Sequence, residues 1–203
     1  MRHPQRNPSG YLPNAGRRDG FRAQKGSSMM RWLLAVLAIV IALVLTVVLV
    51  GELLPKSHTA TRAARFRQPP DAIWSAITDY PKFPEWRKSV VRVEALPPVN
   101  GQPSWKEFDK DGNAIPYDIV EATPGQKLVT RIADPKLPFG GTWTYILTRQ
   151  PDGSTSLRIT EDAEIRNPVF RFVGRFFIGY TKTMDDYLKA LGGKFGEAVN
   201  MED

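Results

Sequence analysis

Cysteine is absent from the 203-residue chain. That excludes disulfides, thiol nucleophiles and cysteine-based metal sites together. Histidine is nearly absent: there are two, His3 in the N-terminal tail and His58 just past an apolar run. On this reading a histidine-based triad, an HExxH helix or a zinc centre has no material inside the folded part. An even spread of positive charge is also missing. The net charge of +7 is concentrated in residues 1–31, which hold Arg2, Arg6, Arg17, Arg18, Arg22, Lys25 and Arg31 against Asp19 alone. After residue 31, 21 of the 28 basic and 20 of the 21 acidic residues remain, so the rest is near neutral. Its charge gives no reason to expect a nucleic-acid partner.

Charge is lacking altogether in residues 32–50, WLLAVLAIVIALVLTVVLV. As a helix these residues span roughly 28 Å, close to the hydrocarbon thickness of a bilayer. A buried core helix of this length should show an amphipathic face, and none is present. A cleaved signal peptide should be followed by small residues in an A-x-A pattern, whereas GELLPK follows here. The run therefore reads as a transmembrane anchor. The Arg-rich side favours a cytoplasmic N-terminus and an extracytoplasmic domain in a bacterial-type plasma membrane. Lys56, Arg62, Arg65 and Arg67 reduce that asymmetry. Residues 1–31, rich in Gly, Pro, Asn, Ser and Arg, read as a disordered basic tail. The expected organisation is that tail, a span over 32–50, a linker over 51–58, one domain over 59–196 and a C-terminal tail over 197–203.

Within the domain, residues 59–67 read as a strand. Pro69, Pro70 and Asp71 then start a helix carrying Ile73, Trp74 and Ile77, and a second short helix carries Phe83 and Trp86. About six antiparallel strands follow, with hairpin signals at Asp111-Gly112-Asn113 and Pro151-Asp152-Gly153. Asn167 and Pro168 open a long helix over 169–195, with Val173, Phe177, Tyr180, Met184, Leu188, Leu191 and Phe195 on one face. The fold class is α+β: an antiparallel sheet covered by its only long helix.

Strand parity nominates the inward side chains. In 140–149, Trp143, Tyr145 and Leu147 share a face; in 154–165, Leu157, Ile159, Glu161, Ala163 and Ile165 do. Glu161 is then a carboxylate among apolar neighbours, where desolvation opposes its charge unless a partner compensates. It is either a polar contact for a ligand, a general acid/base, or a strand-end glutamate satisfied locally. Phe177, Tyr180 and Met184 either line a cavity or form ordinary core. Trp86 is a candidate for a cavity mouth, while Trp105 and Tyr117 lie on strands of unfixed parity. The apolar, proline-containing stretch 134–140 is either a lid, a membrane contact or a plain connection.

The order of elements, with Pro70, Asp71 and Trp74 in QPPDAIWSAITD, Tyr80, Phe83 and Trp86 in YPKFPEW, Gly141, Thr142 and Trp143 in GGTWTY, Thr160 and Glu161 in ITEDAEI and the Asn167-Pro168 helix entry, resembles the START-like superfamily. That superfamily includes the polyketide cyclase/dehydrase proteins and has the helix-grip fold, a curved sheet wrapped around a C-terminal helix. The resemblance covers about residues 59–196. It implies a cavity for a hydrophobic small molecule such as a lipid, sterol, quinone or polyketide, with Trp86, Tyr117, Trp143, Tyr145, Glu161, Phe177, Tyr180 and Met184 as the nominated contacts. No cofactor or metal is implied. A binding domain is favoured over an enzyme; the alternatives are a cyclase- or hydrolase-like catalyst using Glu161, and a protein-interaction module of the cell envelope. Fold analogy does not choose among them.

Overall fold

The computed structural model describes residues 23–202. The disordered-tail reading falls mainly on residues 1–22, outside the described residues. The chain divides into two compact units, with the boundary between Leu45 and Thr46.

Helix α1 (Ala23–Leu53) runs through the first unit and ends in the second. It is longer than the apolar run that predicts it. Its segment Ser28–Leu53 is long and apolar enough to cross a membrane, and none of its most apolar stretch is buried in the protein.

The second unit contains strand β1 (Ser57–Phe66), helix α2 (Pro70–Thr78), a 3₁₀ turn (Tyr80–Lys82) and the short helix α3 (Phe83–Trp86). Strands β2 (Arg92–Val99), β3 (Gln102–Phe108), β4 (Ala114–Thr123), β5 (Lys127–Ile132), β6 (Phe139–Arg149) and β7 (Thr155–Ile165) follow. The chain ends in α4 (Pro168–Val173), a π-helical turn (Gly174–Ile178), α5 (Lys182–Lys194) and a short strand β8 (Met201–Glu202). The 51–58 linker is shorter than expected, since β1 begins at Ser57. Within the 197–203 tail, β8 pairs with β1 through Ala63↔Glu202 and Ala64↔Met201.

The eight strands of the described residues form one antiparallel sheet in the order β2-β3-β4-β5-β6-β7-β1-β8. The chain-initial strand thus lies beside the last long one, as a wrapped sheet requires. Tight turns join the meander. Asn100 and Gly101 have φ of 50° and 76°, the left-handed pair that a two-residue hairpin needs, and Gly112 and Gly153 occupy the same region in the two hairpins identified from sequence. Inward side chains of β1, β5, β6 and β7 (Phe66, Leu128, Leu147, Leu157, Ile159) pack with Ile73 of α2 and with Met184, Leu188 and Leu191 of α5.

The C-terminal helix is not continuous, contrary to the 169–195 expectation. Asn167 caps α4 through Oδ1, which accepts from the Val169 and Phe170 amides at 2.9 and 3.2 Å, and Pro168 occupies the first turn. The Gly179 amide then bonds the Gly174 carbonyl at 2.9 Å, five residues back, and Gly179 takes φ of 79°. A π turn inserts one extra residue per turn and shifts the helical phase. Val173 and Gly174 line the cavity, and after them Ile178 does so instead of Phe177. Phe177 is therefore swung outside, at 75 % exposed. The regular 3.6-residue stripe read from the sequence fails at this one-residue shift.

Gly141 marks the closest backbone approach near the site. Its φ is 141°, and a Cβ there would collide with the Asp162 carbonyl and the Ala163 Cα on β7. Gly141→Val is expected to lower stability by roughly 2 kcal/mol or more, read as a lower midpoint of urea unfolding; an unchanged midpoint would contradict this packing.

Candidate functional site

A cavity of about 620 Å³ lies between the inner face of the sheet and the C-terminal segment. Its walls are mostly apolar: Ile77 and Phe83 from the short helices, Ile115 and Ile132 from the sheet, and Phe139, Ala163 and Ile165 near the end of β6–β7. Val169, Phe170 and Ile178 line it while remaining 37, 47 and 54 % exposed, so the segment after β7 is where the cavity meets the outside.

Five of the eight residues nominated from sequence line this space: Tyr117, Trp143, Tyr145, Glu161 and Tyr180. Three do not. Phe177 faces outward through the π turn, as described above. Met184 is fully buried in the core beneath α5. Trp86 packs edge-on against Phe83 and Tyr187, with centroids 5.5 and 5.4 Å apart, instead of standing at the mouth. The 134–140 stretch is tied down, because Arg166 Nη1 donates to the carbonyls of Pro135 and Leu137 at 2.9 Å each. It delivers Phe139 into the wall.

The polar and aromatic residues of the site outside the nominated set include His58, Arg87, Trp105 and Glu107. His58 corrects the reading that histidine chemistry has no material in the domain. It lies on β1 at the same parity as Ala64 and Phe66, both fully buried, and that alternation was the available signal. Trp105 and Glu107 share a face of β3 by the same rule. Arg87 follows α3, and nothing local in the sequence marks it.

The polar lining falls into two groups. In the first, Arg87 Nη1 donates to Glu107 Oε1 at 2.9 Å, and Trp105 Nε1 donates to the same oxygen at 3.1 Å. Burial works against the Arg87 charge, but the Glu107 carboxylate together with Tyr187 and Tyr117 outweighs it, and the guanidinium is held above its ordinary pKa. Arg87 also lies over the rings of Phe83 and Tyr187, 4.8 and 5.2 Å from their centroids. Trp105 stacks on Tyr80 and Tyr117 at 4.9 and 5.7 Å. Tyr145 packs against Trp143 and Tyr187, with ring centroids 6.0 and 5.8 Å apart. In the second group, Trp143 Nε1 donates to Glu161 Oε1 at 2.7 Å, and His58 Nε2 lies 3.7 Å from Glu161 Oε2. Glu161 is thus inward-facing, as parity predicts, and is accompanied by Trp143 and by a second cavity carboxylate, Glu107.

Burial pushes the phenols of Tyr117, Tyr145 and Tyr187 well above their ordinary pKa. At neutral pH they are hydrogen-bond donors, not bases. Among the described residues no cluster of three or more His, Asp or Glu is arranged to hold a metal ion.

The family follows from comparison with known proteins. Residues 57–195 match the model of the family described as polyketide cyclase/dehydrase and lipid transport, and the chain belongs to that family. Its fold is that of the START superfamily. A START superfamily protein from Mycobacterium smegmatis is similar at 17 % identity, TM-score 0.55, over 68 % of this chain and 96 % of that one. Zhui aromatase/cyclase from a Streptomyces species is similar at 13 % identity and TM-score 0.55, over 68 % of this chain and 93 % of that one. Norcoclaurine synthase from Thalictrum flavum is similar at 10 % identity and TM-score 0.54, over 70 % of this chain and 87 % of that one. At these identities the likeness is one of fold. No curated protein matches this sequence.

The buried phenols carry a pH signature. Their folded-state pKa values lie above the unfolded value of about 10, so the unfolded chain loses these protons first. Stability is fully present below that pH and falls as pH rises through the folded-state values. In an alkaline absorbance titration of the chain's six tyrosines, these three are expected to ionise late and together with unfolding. Six independent titrations near the ordinary value would contradict their burial.

Proposed function

We propose that this chain is a membrane-tethered binding domain that holds a hydrophobic small molecule, of the lipid, quinone, sterol or polyketide class, in the cavity between sheet and C-terminal segment. The observation that carries the reading is the cavity itself. Its 620 Å³ lie within the range of small-molecule sites, and its largely apolar wall bears a few convergent polar groups. A guest sheltered there removes apolar surface from water, which supplies most of its affinity. Five of the nominated contacts stand at that wall, and Glu161 is the residue through which a polar end of the guest would be recognised.

Membership of a family described by both cyclase/dehydrase and lipid-transport activity supports ligand handling and leaves turnover open. Binding is preferred here because the wall is mostly apolar and its two carboxylates are anchored in place through Oε1 alone, Glu107 by Arg87 and Trp105 and Glu161 by Trp143. The apolar helix α1 supports the tether, and the Arg-rich N-terminal side supports a single pass with that side cytoplasmic. A tether keeps the domain at high local concentration near a membrane-soluble ligand.

The test compares the full chain with Ala163→Phe, which places a ring into the cavity from β7. Solvent extracts of the purified wild type should contain a hydrophobic compound by mass spectrometry. The variant should lose it while its melting temperature stays the same or rises. No extractable compound in the wild type, or equal amounts in both, would overturn the carrier reading.

A further inference from the structure

His58 and Glu161 stand on adjacent strands whose register sets His58 opposite Ala163 and Ala60 opposite Glu161. They are diagonal neighbours on the inward face, close enough for side chains of this length to interact. The gap of 3.7 Å between His58 Nε2 and Glu161 Oε2 exceeds a hydrogen bond. Each group is nevertheless held in place from its far side. Trp143 Nε1 fixes Glu161 through Oε1, leaving Oε2 towards the histidine. Tyr180 stacks on the imidazole with centroids 3.8 Å apart and planes 19° from parallel. His58 Nε2 is buried and has no hydrogen-bond partner among the described residues. All four side chains border the cavity.

The contrast with the other polar group matters. Arg87 and Glu107 bond each other directly, and Trp105 completes the carboxylate. His58 and Glu161 face one another without doing so. The separation is one that a single oxygen, about 2.8 Å from each atom, would bridge. With the proton on Nε2, it must accept from the imidazole and donate to the carboxylate, which when ionised only accepts. A hydroxyl does both. A ketone oxygen cannot donate, and a carboxylate would set its charge against that of Glu161.

We propose that His58 and Glu161 form a hydroxyl-recognition subsite, so that the cavity selects neutral hydrophobic alcohols or phenols over hydrocarbons and carboxylates of the same shape. This rests on the carrier reading above and specifies its ligand class. The guest's hydroxyl accepts from His58 Nε2 and donates to Glu161 Oε2, while its apolar body occupies the space between Ile77, Ile132 and Ile165.

Three fluorescent probes of one shape test it on the full chain in a single detergent: pyrenemethanol, ethylpyrene and pyrenecarboxylate. Nitrogen-15 histidine labelling reports at the same time, since only His3 and His58 give signals. Pyrenemethanol is expected to bind roughly fivefold or more tighter than ethylpyrene and to shift the His58 imidazole signals while leaving those of His3 in place. Glu161→Gln, which keeps an oxygen for Trp143, and His58→Phe should each erase that preference. Should His58→Phe not fold, His58→Gln serves in its place. Equal binding of alcohol and hydrocarbon with an unmoved His58 signal overturns the subsite and leaves the carrier reading intact. Failure of all three probes to bind overturns both.

Discussion

Strand β7 lies between β6 and β1 and is paired with each along its length, and that register decides where every side chain of the site points. The side-chain period of a strand is two, so a slip of one residue would turn Glu161, Ala163 and Ile165 to solvent and bring Asp162 and Glu164 inward. The buried pair Leu157 and Ile159 at the start of the strand opposes such a slip, because both would leave the core. Core and cavity are therefore two parts of one face. Where α5 covers the sheet, the face is filled by Met184, Leu188 and Leu191; towards the end of β7, where the π turn and Gly179 interrupt the helix, the same face lines a cavity.

The interruption also sorts the aromatic residues. A continuous helix would carry Phe177 inward on the stripe that holds Met184 and Leu188, filling part of the space. The extra residue of the π turn exchanges it for Ile178 and leaves Phe176 and Phe177 exposed. Within the cavity, polar side chains are fixed by aromatic partners: Trp105 on Glu107, Trp143 on Glu161 and Tyr180 on His58. Tryptophan suits this task because it presents an apolar ring to the cavity and one donor to a carboxylate. The result is an apolar room with its charges tethered to the wall.

Much of this was legible in the sequence wherever the signal was local and periodic. The hairpin glycines, the Asn167-Pro168 helix start and the inward sets of β6 and β7 follow from turn chemistry and from a period of two. Those sets brought Trp143, Tyr145 and Glu161 to the site. What stayed hidden depends on phase or on long-range pairing. The π turn cannot be seen in a 3.6-residue stripe, so Phe177 was misplaced. Met184 was on the correct face but under the filled part of it. His58 was set apart from the domain by its position beside the apolar run, although its parity with Ala64 and Phe66 placed it inward; only the pairing of β1 with β7 brings it to Glu161. Arg87 belongs to no periodic pattern, and its partner Glu107 lies 20 residues away on β3.

The central claim is that apolar side chains of the sheet and the C-terminal segment enclose room for a guest. Isoleucine methyl groups measure this directly, because they divide between cavity and core: Ile77, Ile115, Ile132, Ile165 and Ile178 line the cavity, whereas Ile73 and Ile159 are buried away from it. Intermolecular nuclear Overhauser effects from a bound hydrophobic probe to selectively labelled isoleucine methyls are predicted at the first set and not at the second. A probe that contacts none of the cavity methyls, or only exposed positions such as Phe176 and Phe177, would contradict the account.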